Sequence, residues 1–112
     1  MNLFYTFTQN NSGGYFDFNE VDGITRFVII EAQNSDNANS LATDKSIYFN
    51  GCNRDMDCAC CGDRWSMAGE SEGTNKPKVY GEDATKEMVG MTWMKKDHEV
   101  CVHYLSGKKE WF

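Results

Sequence analysis

The sequence has no apolar segment that approaches the roughly 20 residues needed to span a bilayer. Its N-terminal segment has no basic region and mixes apolar with polar side chains, unlike a signal peptide. Basic residues are scarce, 11 against 17 acidic ones, which gives a net charge of −6. Because sequence-independent binding to nucleic acid needs a basic face, a nucleic acid is not expected as a partner. A membrane is not expected either, because no apolar segment is long enough to span one. We expect a cytoplasmic protein whose acidic surface suits a basic partner.

Common catalytic signatures are also missing, since the sequence contains no HExxH, P-loop or GxGxxG pattern. We therefore expect a binding protein rather than an enzyme. Aromatic side chains are plentiful, at 13% of the 112 residues, which is more than a disordered segment carries. Residues 1–112 are expected to form one domain, because a chain of this length has room for a single core.

The hydrophobic patterns predict an α+β fold, with an antiparallel sheet of four to six strands, one helix packed on a face and a long cysteine-rich loop. The most apolar run, 25–32, predicts a central strand buried on both faces. A turn at 12–14 suggests that strands 3–8 and 15–18 form a hairpin. A helix is predicted at 35–45, a helical turn at 84–88, and further strands at 47–49, 91–94, 99–105 and 110–112.

Four of the five cysteines lie in a segment, 50–76, that contains few aliphatic residues. A loop of this length inside a compact domain is usually functional or held in place. Because five is an odd number and the cytosol is reducing, the thiols are expected to stay free or to bind metal. Cys58 and Cys61, followed by Gly62, have the spacing of a zinc knuckle, which supplies half of a tetrahedral site.

Cys101 and His103 are candidates for the other half of the zinc site. They lie two residues apart on a predicted strand, so their side chains share a face. Cys52 and Cys60 are alternatives, and His98 is a further one. The competing interpretation is that the cysteines are small buried hydrophobic residues and the histidines are hydrogen-bonded surface groups.

Two thiol-based activities stay open. Cys58 and Cys61 would act as a redox dithiol if they lay at a helix N-terminus, although no amphipathic helix follows them. Alternatively, Cys60 or Cys61 would act as a nucleophile paired with a histidine, with Asp63 as the orienting group.

Asp63, Arg64 and Trp65 follow the cysteines directly and have two interpretations. Arg64 would pair with Asp63 and lie against Trp65, which would brace the loop. Alternatively, Arg64 and Trp65 are exposed, as residue types that dominate binding hot spots.

Four segments occur in a recognisable order, and the last of them is the most specific. They are Asn-Ser-Gly-Gly-Tyr-Phe (11–16), Phe-Val-Ile-Ile-Glu-Ala (27–32), Tyr-Phe-Asn-Gly (48–51) and Asp-Cys-Ala-Cys-Cys-Gly-Asp-Arg-Trp (57–65). Together they resemble a family of small uncharacterised proteins encoded by tailed bacteriophages. The resemblance implies a phage accessory protein made in the infected bacterial cytoplasm, and it implies no catalytic residues. Cys58, Cys60 and Cys61 look like the family's defining cysteines, so these three with His103 form a rival metal set.

The resulting expectation is a non-enzymatic phage protein that binds a host protein, for counter-defence or takeover of host machinery. Its loop 50–66 would be ordered by a structural zinc and would present Arg64 and Trp65. The alternatives are a sponge that binds a nucleotide second messenger through aromatic rings and Arg64, a thiol-dependent enzyme, and a structural part of the virion. A homo-oligomer is also compatible with the sequence.

Overall fold

The computed structural model describes residues 2–10, 16–19, 21–54, 56–57, 62–79, 82–83 and 100–112. Its regular elements are β1 (Leu3–Thr8), β2 (Phe27–Ala32), α1 (Ser35–Thr43), β3 (Lys78–Val79), β4 (Glu82–Asp83), β5 (Val100–His103) and β6 (Lys109–Trp111). Two short 3-10 helices cover Gly51–Arg54 and Glu70–Glu72. No helix among these residues is long and apolar enough to cross a membrane.

The main sheet has the strand order β1-β2-β5-β6, and β3 and β4 form a separate pair. This sheet and α1 give the predicted α+β fold. The sheet is mixed, because β2 and β5 are parallel while the two outer pairings are antiparallel. The prediction of a purely antiparallel sheet was therefore wrong at this pairing. Apolar periodicity identifies a strand but not its direction, and the long connection between β2 and β5, which includes α1, permits a parallel crossover.

β1 does not form the predicted hairpin with the described residues 16–18, and the predicted turn at 12–14 and residue 15 lie outside the described residues. β1 pairs with β2 instead, so that Tyr5 lies opposite Ile30. Residues 16–18 have no strand structure. Residues 47–49 form no strand either, although Ile47 and Phe49 are buried in the core. The predicted strand 91–94 and helical turn 84–88 lie outside the described residues.

Helix α1 begins where its sequence predicts. The Asn34 side chain caps it by accepting a hydrogen bond of 2.8 Å from the backbone N–H of Asn37. Ala38 and Ala42, one turn apart, are buried against the sheet. The helix ends at Thr43, two residues earlier than predicted.

The central strand β2 is buried on both faces, as its apolar run predicts. Alternate residues divide between two clusters, which follows from the two-residue period of a strand. The helix-side cluster includes Tyr5, Phe7, Ile24, Val28, Ile30, Ala38, Phe49 and Trp65. The opposite cluster consists of Phe27, Ile29, Val79, Val100, Val102 and Phe112.

Candidate functional site

The guanidinium of Arg64 is buried, with 3% of the residue exposed, beside the cysteine-rich segment. Its Nη1 donates to Gln9 Oε1 at 3.0 Å, and its Nε lies 3.3 Å from the Tyr48 hydroxyl. The same Nε forms ion pairs with Asp17 at 3.3 Å and with Asp57 at 3.7 Å. We call these five residues, Gln9, Asp17, Tyr48, Asp57 and Arg64, the polar node. It gathers side chains from three separate stretches of chain around one buried cation.

Asp57 is the buried anion of the polar node, with a side chain that is 0% exposed. Its Oδ1 accepts from the Tyr48 hydroxyl at 2.7 Å, and its Oδ2 accepts from the backbone N–H of Arg64 at 2.8 Å. Burial and the bond to Asp57 raise the pKa of Tyr48, so the phenol keeps its proton and remains a donor. The carboxylate is thus compensated both by hydrogen bonds and by the guanidinium.

Gln9 links the polar node to the end of β1 and is itself fully hydrogen-bonded. Its amide nitrogen donates to the backbone oxygens of Asp17 and Thr25, at 3.0 and 3.1 Å. Its Oε1 accepts from the Asp17 backbone N–H and from Arg64. Because both donors and both lone pairs are used, the amide is held in one orientation.

The described residues on either side of positions 58–61 are joined by further hydrogen bonds, and we call Cys52, Asp57, Asp63 and Arg64 the loop base. The backbone N–H of Cys52 donates to Asp63 Oδ1 at 2.9 Å. Asn10 joins the same base to β1, since its N–H donates to Arg64 O at 2.8 Å and its side chain donates to Asp63 O at 3.3 Å. Asp57, on one side of residues 58–61, and Asp63, on the other, therefore belong to one connected network.

The metal candidates Cys58, Cys60 and Cys61, and also His98, lie outside the described residues. Within the part of the chain that the structure describes, no group of three or more His, Cys, Asp or Glu side chains is arranged to hold a metal ion. Cys52 is half-buried at the loop base.

Cys101 and His103 share one face of β5, as their spacing predicts, and both are buried there. His103 Nε2 donates to the Gly23 carbonyl at 2.8 Å. Gly23 is required at this position because its φ is +69° and a Cβ there would lie 2.5 Å from His103 Cε1. Burial raises the pKa of the Cys101 thiol to about 12 and lowers the pKa of the His103 imidazole, so both are neutral near pH 7.

The comparison with known protein families decides the chain's affiliation. Residues 2–112 match the family described as Domain of unknown function (DUF7296). The chain belongs to the DUF7296 family. Neither a curated protein nor a solved structure matches it.

The proposed binding residues of this DUF7296 protein occupy different positions from those expected. Arg64 and Trp65 are 3% and 2% exposed, so the expectation of an exposed pair was wrong. Trp65 packs in the helix-side core, while Arg64 braces the loop by pairing with Asp17 and Asp57, where the sequence predicted Asp63. Asp63 is half-buried and closes the loop base. An arginine is buried here because the carboxylates of Asp17 and Asp57 compensate its charge.

Sequence reasoning missed the other members of the polar node. Asp57 stands directly before Cys58 in the quoted motif, and that position was its only signal. No signal in the sequence pointed to Gln9, because its partner Arg64 lies 55 residues away. The exposed side chains of this region also went unnoticed. Met56 is 51% exposed and Met67 is 62% exposed.

A Gly-x-Ser-x-Gly pattern at Gly69–Gly73 was also missed. In hydrolases this pattern places a serine on a tight strand-to-helix elbow. Here the segment is a three-residue 3-10 helix with an exposed Ser71, and its Glu72 side chain caps Gly69. No strand precedes it and no α-helix follows it directly, so the context of a nucleophilic serine is missing from this described stretch.

Proposed function

We propose that this DUF7296 protein is a small accessory protein of a tailed phage, made in the cytoplasm of the infected bacterium, that binds a host protein stoichiometrically. The phage assignment rests on the four segments quoted above. The observation that carries the binding role is the polar node, because it joins the ends of two of those segments. Asp17 directly follows segment 11–16, and Asp57 and Arg64 belong to segment 57–65.

The energetics of the polar node support a role in fixing loop geometry. A buried ion pair is often no more stabilising than an apolar replacement of the same volume. We infer that the role of the polar node is to hold the loop base in a single arrangement. A loop that is already ordered binds a partner without paying the entropy of ordering, which favours a role in recognition.

The contact residues in this proposal are Arg54, Met56 and Met67, which replace Arg64 and Trp65. They are exposed, and they lie in or beside loop 50–66. Arginine and methionine are enriched in the buried centres of protein interfaces. Arg64 and Trp65 are buried, so they offer no contact surface to a partner.

The zinc ion remains part of the proposal, centred on Cys58 and Cys61 with Cys60 beside them. Thiolates at this spacing are typical zinc ligands. For a further ligand we favour Cys52 over Cys101 and His103. The backbone of Cys52 is bonded to Asp63, two residues beyond Cys61, whereas Cys101 and His103 are buried beneath Gly23. The ion would order the loop tip, because the polar node already closes the base.

Photo-crosslinking in infected cells tests the binding role. p-Benzoylphenylalanine is placed at position 56, at position 67, or at the control position 105, where Leu105 is also exposed, by 46%. We expect positions 56 and 67 to capture the same host protein, in a one-to-one complex by native mass spectrometry, and position 105 to capture none. Equal capture from all three positions, or none from 56 and 67, contradicts the proposal.

Native mass spectrometry of the purified protein tests the zinc. We expect one zinc ion per chain, lost in the double variant Cys58→Ser with Cys61→Ser and kept in Cys101→Ser. Protein that is free of metal under reducing conditions would remove zinc from the proposal and leave the crosslinking test in force.

A further inference from the structure

A groove of about 530 Å³ lies between the end of α1 and the segment that leads into the cysteines. Its lining includes the apolar side chains of Ile47, Tyr48 and Phe49 together with Arg54 and Met56. Ile47 and Phe49 are buried core residues, so the groove has a firm floor. Met56 is 51% exposed.

The backbone at both ends of this floor adopts an unusual conformation. Ser46 and Asn50 have φ values of 74° and 57°, in the left-handed region, which asparagine adopts more readily than serine does. For Ser46 this conformation costs about 1 kcal/mol or more, and such positions tend to cluster at functional sites. They turn the chain before and after 47–49, which leaves these three residues along the groove.

Tyr48 connects the groove to the polar node. Its ring lines the groove, while its hydroxyl donates to the buried carboxylate of Asp57. Met56, which also lines the groove, directly precedes Asp57, and its N–H donates to Gly51 O at 2.9 Å. Two lining residues, Tyr48 and Met56, are thus attached to the polar node.

Charge and shape indicate the kind of occupant. Among the described residues that line the groove, Arg54 is the only charged one, and its guanidinium has no ion-pair partner in the described part of the chain. Asp57 does not oppose it, because that carboxylate is buried and paired with Arg64. The groove is open to solvent, which suits an extended chain better than a small ligand that must be largely enclosed.

We propose that this groove binds an extended segment of a partner protein, in which a large apolar side chain packs on Phe49 and Met56 and a neighbouring carboxylate pairs with Arg54. The inference rests on the proposed binding function and adds the chemistry of the partner segment. It places a local site for an acidic segment on a protein whose overall charge is negative.

Selection from a random heptapeptide library tests this inference without knowledge of the partner. The purified protein is the bait, and the Arg54→Glu variant is used in a parallel selection. We expect the wild type to enrich peptides with Asp or Glu next to an aromatic or large aliphatic residue. The enriched peptide, labelled with fluorescein, should bind Arg54→Glu at least tenfold more weakly by anisotropy and Met56→Ser several-fold more weakly.

The matched control is Lys76→Glu, which makes the same charge change at an exposed position outside the groove. It should leave the affinity unchanged, and circular dichroism should show all three variants folded. Peptides without a common pattern, a basic consensus, or equal binding to Arg54→Glu would overturn the groove assignment. The crosslinking result at positions 56 and 67 does not depend on peptide selection, so the binding role and the groove fail separately.

Discussion

Replacement of Arg64 with methionine is expected to destabilise the domain by about 3 kcal/mol. The substitution keeps most of the side chain's length but leaves Asp57, which is 0% exposed, without its cation. Removal of one partner of a buried ion pair typically costs about 3–5 kcal/mol. The lower end applies here, because Asp57 still accepts hydrogen bonds from Tyr48 and from the backbone N–H of residue 64. Gln9 Oε1 also keeps a donor, the N–H of Asp17.

Urea unfolding followed by far-UV circular dichroism measures this change. With a slope of about 1.2 kcal/mol per molar urea for a domain of this size, the midpoint should fall by roughly 2.5 M. The control is Arg54→Met, the same substitution at an exposed arginine of the same loop, which should change stability by less than about 0.5 kcal/mol.

A double variant separates the lost ion pair from lost packing. Asp57→Asn in the Arg64→Met background removes the uncompensated charge while a side-chain oxygen still accepts from Tyr48, so it should restore about 1 kcal/mol or more. If Arg64→Met proved as stable as Arg54→Met, the polar node would not hold the loop base, and the reasoning behind the binding surface would fail.

Three further predictions concern the cluster around Gly23. The pKa of His103 is lowered in the native state, so the unfolded chain binds the proton first as the pH drops below 6.5. The free energy of unfolding should therefore fall by at most about 1.4 kcal/mol per pH unit, and His103→Gln should reduce the pH dependence of the urea midpoint between pH 6.5 and 5. Cys101, whose pKa is about 12, should resist iodoacetamide at pH 8 until urea unfolds the protein, and labelling as fast as that of half-buried Cys52 would contradict its burial. Gly23→Ala should destabilise by about 2 kcal/mol more than Gly107→Ala in urea, because both glycines have positive φ but only Gly23 faces His103, so equal losses would exclude the clash.

Local sequence signals predicted the elements whose neighbours are close in the chain. β1 was predicted at 3–8 because alternation alone defines a half-buried strand, and α1 was predicted because Asn34 is a good N-cap. β2 followed from its continuous apolar run. In each case the pattern that determines the element lies within a few neighbouring residues.

Long-range partners explain what the sequence could not predict. Residues 16–18 look like a strand, but Gln9 holds the backbone of Asp17 by its side chain, and β2 takes the place beside β1. The parallel pairing of β2 with β5 depends on the path of the intervening chain, which apolar periodicity does not encode. The sequence left Arg64 with two interpretations, as a brace or as an exposed contact, because its compensating groups are identified only once the chain has folded.

The burial of Arg64 changes how the cysteine-rich motif is interpreted. A zinc ion is not needed to close the loop base, since Asp57, Asp63 and Arg64 already do so through hydrogen bonds and an ion pair. A metal at the thiols would therefore act on the loop tip alone, and its removal should leave the sheet and the groove intact. Tyr48 connects the groove to this network, because its ring lines the groove while its hydroxyl donates to Asp57. The groove and the residues that flank the cysteines are thus joined through one buried network.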